Sequence, residues 1–227
     1  AQSARTLHQN GANIIIHYGQ SQSSAEQLVT ELNELRANSA VSLQADLLDL
    51  HAIDRLAQDA TRHFGALDIL INNASSFYPT EFGRISATKW NDLMGSNVQA
   101  PLFLSQACYP ALRQSHGCII NMIDIHGRSP LKNHTVYSCA KAAAAMLTRS
   151  LALELAPEVR VNGIAPGAIL WPQQVGMEQS AQQSILDQIP LQRTGQPGDI
   201  AQTILFLVSN TYINGQIINV DGGRQLF

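Results

Sequence analysis

Tyr137-Ser138-Cys139-Ala140-Lys141 is the stretch on which the reading of this chain turns. It opens a run, 137–156, that reads as helix throughout. Residues four apart share a helix face with their Cβ atoms about 6 Å apart, so the phenol and the ammonium are neighbours. A free phenol keeps its proton until about pH 10. A cation beside it favours the phenolate and brings that value toward the working range. The pair is a proton-transfer device if it faces a cleft, and a solvated surface pair if it does not.

The surrounding sequence argues for the cleft. Ile119-Ile120-Asn121-Met122-Ile123-Asp124 is a short apolar run ending in a carboxylate. It has the form of a buried parallel strand at its C-terminal end, where open α/β sheets bind ligands. Asp68-Ile69-Leu70-Ile71-Asn72-Asn73-Ala74 is a second such strand running into a polar turn. Here the chain resembles the short-chain dehydrogenase/reductases. The resemblance rests on Asn72-Asn73-Ala74, Asn97, Tyr137, Lys141, Pro166-Gly167 and Asp221-Gly222-Gly223, in that order along the chain. It implies an α/β fold, a single-domain Rossmann-like three-layer sandwich over 1–227 with a doubly wound parallel sheet. Members of the family open with a strand and a Gly-rich turn that cradles phosphate. That element is absent from the given chain, which begins at Ala1 in what reads as a helix tail, and the expectation is that the full protein carries it.

Composition narrows the classes. One domain is the natural count for 227 residues. A chain 45% apolar and 14% charged is lean in charge, which fits a sheet covered on both faces and surface buried between copies. The net charge of −3, with no basic stripe, argues against nucleic acid. No apolar run approaches the length of a membrane span. Cys108, Cys118 and Cys139 lack metal spacing and read as reduced thiols of a cytoplasmic protein. The seven histidines are scattered, so no metal is expected.

In chain order, Gly11 ends a first helix and 12–17 reads as a strand. The tip Tyr18-Gly19-Gln20-Ser21 bears on cofactor choice. A carboxylate here would hold the ribose 2′-hydroxyl of NAD and repel a 2′-phosphate. The tip has none, so NADPH is expected, although Gln20 stands where related enzymes often carry Arg. The resemblance implies that His17, Tyr18, Gln20 and Ser21 line the cofactor, with Asp46 and Leu47 at the adenine and Asn73, Ala74 and Ser75 further along. Asp46 could instead cap the following helix, for which Asp49 is better placed. Ser23 and Glu26 read as a capping box opening a helix to Arg36.

Most members of the family continue after Ala74 with Gly. The Ser75-Ser76-Phe77-Tyr78 found here resembles the pteridine reductases. In those enzymes the residue matching Phe77 forms one wall of a slot whose other wall is the nicotinamide, and a flat pterin stacks between. Such stacking is worth about 0.5–1.5 kcal/mol beyond area burial. The alternative is a core aromatic under a loop. Ser75 would face pterin and cofactor phosphate. Asn97 would lie at a helix irregularity, its carbonyl holding a water beside the lysine.

Asp124 stands where ordinary members place Ser. An ionised Asp only accepts, which suits the amine and ring N–H donors of a pterin. Its alternative role is to cap the loop that follows. Pro166 and Gly167 would meet the nicotinamide carboxamide. The stretch 171–182 reads as an irregular substrate lid, with Trp171 either bordering the pterin or packing the lid.

The expected activity is an NADPH-dependent pteridine reductase acting on dihydropterins and dihydrofolate, by hydride transfer to a C=N carbon. Tyr137 delivers the proton, Lys141 lowers its pKa and binds the nicotinamide ribose, Asn97 anchors the relay and Asp124 orients the pterin. The alternatives are a generic carbonyl or 3-oxoacyl-thioester reductase and a non-catalytic NADP(H) sensor. A homotetramer is the assembly the resemblance implies.

Overall fold

Short apolar runs alternate with amphipathic stretches along this chain, and each becomes a strand followed by a helix. The computed structural model describes residues 1–169 and 179–226. In order come α1 (Gln2–Gln9), β1 (Ile14–Tyr18), α2 (Gln22–Leu35), β2 (Ala40–Gln44), α3 (Leu50–Phe64) and β3 (Ile69–Asn72). Next are α4 (Ala87–Met94), a π-helical turn (Gly95–Gln99), α5 (Ala100–Gln114) and β4 (Cys118–Met122). A 3-10 turn (Ile125–Gly127) leads to α6 (Thr135–Glu154) and β5 (Arg160–Pro166). After α7 (Gln179–Leu186) and α8 (Pro197–Ser209), the last strand is β6 (Ile217–Val220).

Every strand pairing is parallel. Successive side chains of a strand point to opposite faces, so a strand buried on both sides must be apolar at every position. β4 shows this directly. Ile119 packs with Leu56, Leu104 and Leu112 of α3 and α5, while Ile120 packs with Leu7, Leu32 and Leu207 of α1, α2 and α8. The result is the expected three-layer α/β sandwich. The sheet, however, comes in two pieces, β1-β2 and β3-β4-β5-β6. The unpaired edges of β1 and β3 line one cavity of about 720 Å³, together with residues of α1, α3 and α5.

The helix ends follow local chemistry. Gly11 and Gly65 stop α1 and α3 with positive φ of 92° and 75°. Asp49 caps α3 by accepting from the His51 N–H at 2.9 Å. The capping box expected of Ser23 and Glu26 does not form. The chain leaves β1 so directly that α2 begins at Gln22, which puts Ser23 inside the helix, and Glu26 instead accepts from the Gln22 side chain at 2.8 Å. Of the expected lid, 171–178 lies outside the described residues, and 179–182 belongs to α7 rather than to an irregular stretch.

A buried polar chain crosses the structure. Asn72 and Asn121 are register partners on β3 and β4, and Asn72 Nδ2 donates to Asn121 Oδ1 at 2.8 Å and to Ser105 Oγ at 3.2 Å. Asn121 Nδ2 donates in turn to Thr148 Oγ1 of α6 at 3.0 Å, and Thr148 donates to the Ala144 carbonyl at 2.9 Å. Breaking the middle of such a chain strands polar groups that water cannot reach, at about 1–3 kcal/mol each. Asn121→Leu is therefore expected to cost about 2–4 kcal/mol of unfolding free energy by denaturant titration. Ser105→Ala, at the chain's end, should cost about 1 kcal/mol or less.

Candidate active site

β4 delivers its chain to the site at Met122, and everything that follows is positioned by that strand end. Asp124 uses both carboxylate oxygens. Oδ1 accepts from the His126 N–H at 2.8 Å and so caps the 3-10 turn, while Oδ2 accepts from the Tyr137 hydroxyl at 2.7 Å. The two roles weighed for Asp124 thus coexist. Gly127 makes the turn possible. A Cβ there would stand 2.8 Å from the Lys141 carbonyl carbon, so only glycine lets the turn rest on the α6 backbone beside the lysine.

Tyr137 and Lys141 share one buried face of α6, 4% and 3% exposed. Lys141 Nζ donates to the Met122 carbonyl at 2.9 Å and lies 5.6 Å from the Tyr137 ring centroid. An ammonium has three donors; among the described residues only this one is spent.

The electrostatics correct the sequence expectation. Burial above all, then the charge of Asp124 and its hydrogen bond, hold the Tyr137 phenol well above its ordinary pKa rather than below it. Burial pulls Lys141 down to about 8, with Asp124 opposing in part. The physical reason is loss of water first and proximity second. The carboxylate is in hydrogen-bond contact with the hydroxyl, whereas the ammonium is spent on a carbonyl and both partners have left water.

The aromatic wall lies beside this triad. Phe77 is 56% exposed, which removes the core alternative. Its ring stacks on His134 (centroids 4.9 Å, planes 15° apart) and meets Tyr137 nearly edge-on (4.7 Å, 73°). The loop bearing Phe77 is strapped at several points. Tyr78 donates to Asp92 Oδ2 at 2.8 Å, the Thr80 N–H donates to the Asn133 carbonyl, and Asn97 Nδ2 donates to the carbonyls of Ser76 and Leu93 at 3.0 and 2.9 Å. Asn97 is buried in the π-helical turn, the irregularity expected of it, and its Oδ1 has no hydrogen-bond partner among the described residues.

At the other end of the cleft a cavity of about 490 Å³ is lined by His17, Gln20, Asp46, Leu47, Ala74 and Ser75 among others. The larger cavity reaches Tyr18, Ser21 and Asn73, and the two share His17, Gly19, Leu47, Ala74 and Ser96. Asp46 accepts from the Leu48 N–H at 2.9 Å and so turns its own loop; it caps no helix. Asp124 and Pro166 stand two residues beyond the register partners Met122 and Ile164, hence at one height. Gly167 has its own reason to lack a side chain, since a Cβ would meet Asp221 Cα at 2.8 Å. Trp171 lies outside the described residues.

Sequence reasoning missed His134, Gly127 and the Met122 carbonyl. Only Gly127, three residues after Asp124, left a local signal.

A nucleotide-sized cavity at the C-terminal ends of parallel strands, lined as far as Ser76, the residue before Phe77, together with the part-buried Asp124 bonded to buried Tyr137 and the unspent donors of Lys141, fits a dinucleotide-dependent oxidoreductase. Comparison with known proteins agrees. A family model described as enoyl-(acyl carrier protein) reductase matches residues 1–225. Pteridine reductase 1 of Leishmania tarentolae is 34% identical, over 98% of this chain and 91% of its own. The 3-oxoacyl-[acyl-carrier-protein] reductase FabG of Staphylococcus aureus is also 34% identical, over 98% and 92%. A 3-oxoacyl-[acyl-carrier-protein] reductase of Synechocystis is 32% identical, over 99% and 92%. The chain belongs to the short-chain dehydrogenase/reductase family, whose reductases use NAD(P)H. Among the described residues no helix is long and apolar enough to cross a membrane.

The lysine has a measurable signature in the cofactor-free protein. Its folded pKa, about 8, lies below the 10.5 of an exposed lysine. The unfolded chain therefore binds the extra proton between those values, and wild-type stability contributed by this group rises with pH across that window. Lys141→Met is expected to raise stability by about 1–3 kcal/mol at pH 7. That gain should shrink as pH rises past 8, in thermal melts taken at a series of pH values.

Proposed function

We propose that this protein is an NADPH-dependent pteridine reductase that reduces dihydropterins, and dihydrofolate with them. The observation that carries the reading is the hydrogen bond between Asp124 and Tyr137 beside the exposed ring of Phe77. A carboxylate at this place repels the oxygen of a ketone but accepts from the amine and ring N–H groups of a pterin. An exposed aromatic ring next to the proton donor suits a flat heterocycle and contributes little to a flexible acyl chain.

NADPH, when bound, would supply the hydride for the C=N carbon. His17, Tyr18, Gln20, Ser21, Asp46, Leu47, Asn73, Ala74 and Ser75 would hold its adenosine and phosphate portions, Pro166 and Gly167 its carboxamide, and Lys141 its ribose hydroxyls. The tip 18–21 has no carboxylate to repel a 2′-phosphate, which supports NADPH over NADH. Tyr137 gives its proton to the pterin nitrogen. Its raised pKa keeps it protonated at neutrality, the form an acid needs. A pterin N–H bonded to Asp124 takes up part of the charge that opposes ionisation of Tyr137, and the Lys141 ammonium then balances the phenolate. Asn97, fastened to the loop and to α4, anchors the route by which the proton is replaced.

A parallel strand between β1 and β3 would join the two sheets and fill the cavity between them, as expected of the family's opening strand. Exposed Met146 and Leu153 along α6 support a homotetramer. Cysteines without a disulfide support a reducing, cytoplasmic setting.

A second reading, a 3-oxoacyl-thioester reductase, is supported by relatives bearing that name at the same identity. NADPH oxidation with dihydrobiopterin, dihydrofolate and a 3-oxoacyl thioester offered in parallel separates the two, and oxidation with none of them favours the NADP(H) sensor. Tyr137→Phe should lower turnover about 10²–10⁴-fold while leaving NADPH binding nearly intact. Asp124→Ser should cost pterin reduction more than carbonyl reduction. Equal losses on both substrates would remove its specific role.

A further inference from the structure

The pteridine reductase reading leaves one aromatic residue of the site without a role. His134 is the residue immediately before α6, three positions ahead of Tyr137. Its ring is parallel to Phe77 within 15° at a centroid distance of 4.9 Å. Phe77 is otherwise exposed, and its contact with Tyr137 is near-perpendicular. One face of Phe77 is thus backed by His134, while more than half of the residue stays exposed.

Three further contacts hold the histidine still. Its Nδ1 bonds the Lys132 carbonyl at 2.9 Å, and a carbonyl only accepts, so Nδ1 carries the proton and the ring plane is set. Thr80 and His134 form a parallel β-bridge, and the Thr80 N–H donates to the Asn133 carbonyl. Thr80 itself is fully buried. The segment carrying His134 and the loop carrying Phe77 are therefore tied together by backbone as well as by ring contact. A side chain fixed in this way holds its neighbour in the orientation that binding requires.

We propose that His134 is a positioning residue for substrate specificity: it backs Phe77 so that a planar heteroaromatic substrate meets one fixed stacking face beside Tyr137. This inference rests on the pteridine reductase reading, because an acyl chain would gain little from a flat wall.

The experiment is steady-state kinetics of the full-length enzyme with dihydrobiopterin and with a 3-oxoacyl thioester, comparing wild type with His134→Ala, His134→Asn and His134→Phe. The asparagine keeps a donor for the Lys132 carbonyl without a ring, and the phenylalanine keeps a ring without the donor. The Ala and Asn variants are expected to raise KM for dihydrobiopterin about three- to tenfold, with kcat changed less than twofold. His134→Phe should return KM to within about twofold of wild type, and KM for any thioester turned over should not move. If Phe is as poor as Ala, if Asn matches wild type, or if losses are equal on both substrates, His134 is a structural residue only and the inference is overturned. A wild-type enzyme that turns over no pterin overturns the functional reading and this inference with it. Pterin turnover with an unaltered His134→Ala overturns the inference alone.

Discussion

The chain of buried hydrogen bonds from Asn72 through Asn121 to Thr148 determines where chemistry can occur in this protein. Each of its members lies within a short reach of a functional residue. Asn72 immediately precedes Asn73 and Ala74, which line the larger cavity; Asn121 is one residue from Met122, whose carbonyl holds Lys141; Thr148 lies about two turns along α6 from Lys141. Apolar packing alone would let a helix slide along a sheet at small cost. Paired amides in a water-free interior do not, because a one-residue slip leaves several of them unpaired. The reactive groups inherit that register.

Upon this frame the site carries an electrostatic burden. Asp124, Tyr137 and Lys141 are brought together where desolvation works against every charge, and the phenol and the ammonium are shifted in opposite directions by it. The arrangement stores an imbalance that a ligand with N–H donors relieves and a ligand with a bare carbonyl does not. In the proposed pteridine reductase, specificity for nitrogen heterocycles and activation of the acid would be one property, located in the second oxygen of Asp124.

Much of this was legible from residue order. Apolar runs such as Ile119–Met122 marked strands because a sheet covered on both faces leaves no polar side to write an alternation. Gly11 marked the end of the first helix, because a residue without Cβ takes at no cost the positive φ found there. The four-residue spacing of Tyr137 and Lys141 marked a shared face. What failed did so for tertiary reasons. Ser23 and Glu26 have the pattern of a cap, but the start of α2 is set by how the chain leaves β1. The direction of the Tyr137 shift depends on a 2.7 Å contact across thirteen residues and on burial, neither of which spacing encodes. His134 and Gly127 act through neighbours distant in sequence, and a lone histidine in a polar loop gives no sign of the ring it will cover.

Cys139 is exposed, while Cys108 and Cys118 are buried, the thiol of the former pushed up to about 12 and that of the latter also raised. A maleimide dye applied to the native chain therefore has one strongly favoured attachment point, two residues from Tyr137 on the same α6 stripe as Met146 and Leu153, which follow it at intervals of seven. Fluorophore uptake there reads out at once whether neighbouring copies cover that stripe and whether the helix changes environment when a small molecule enters.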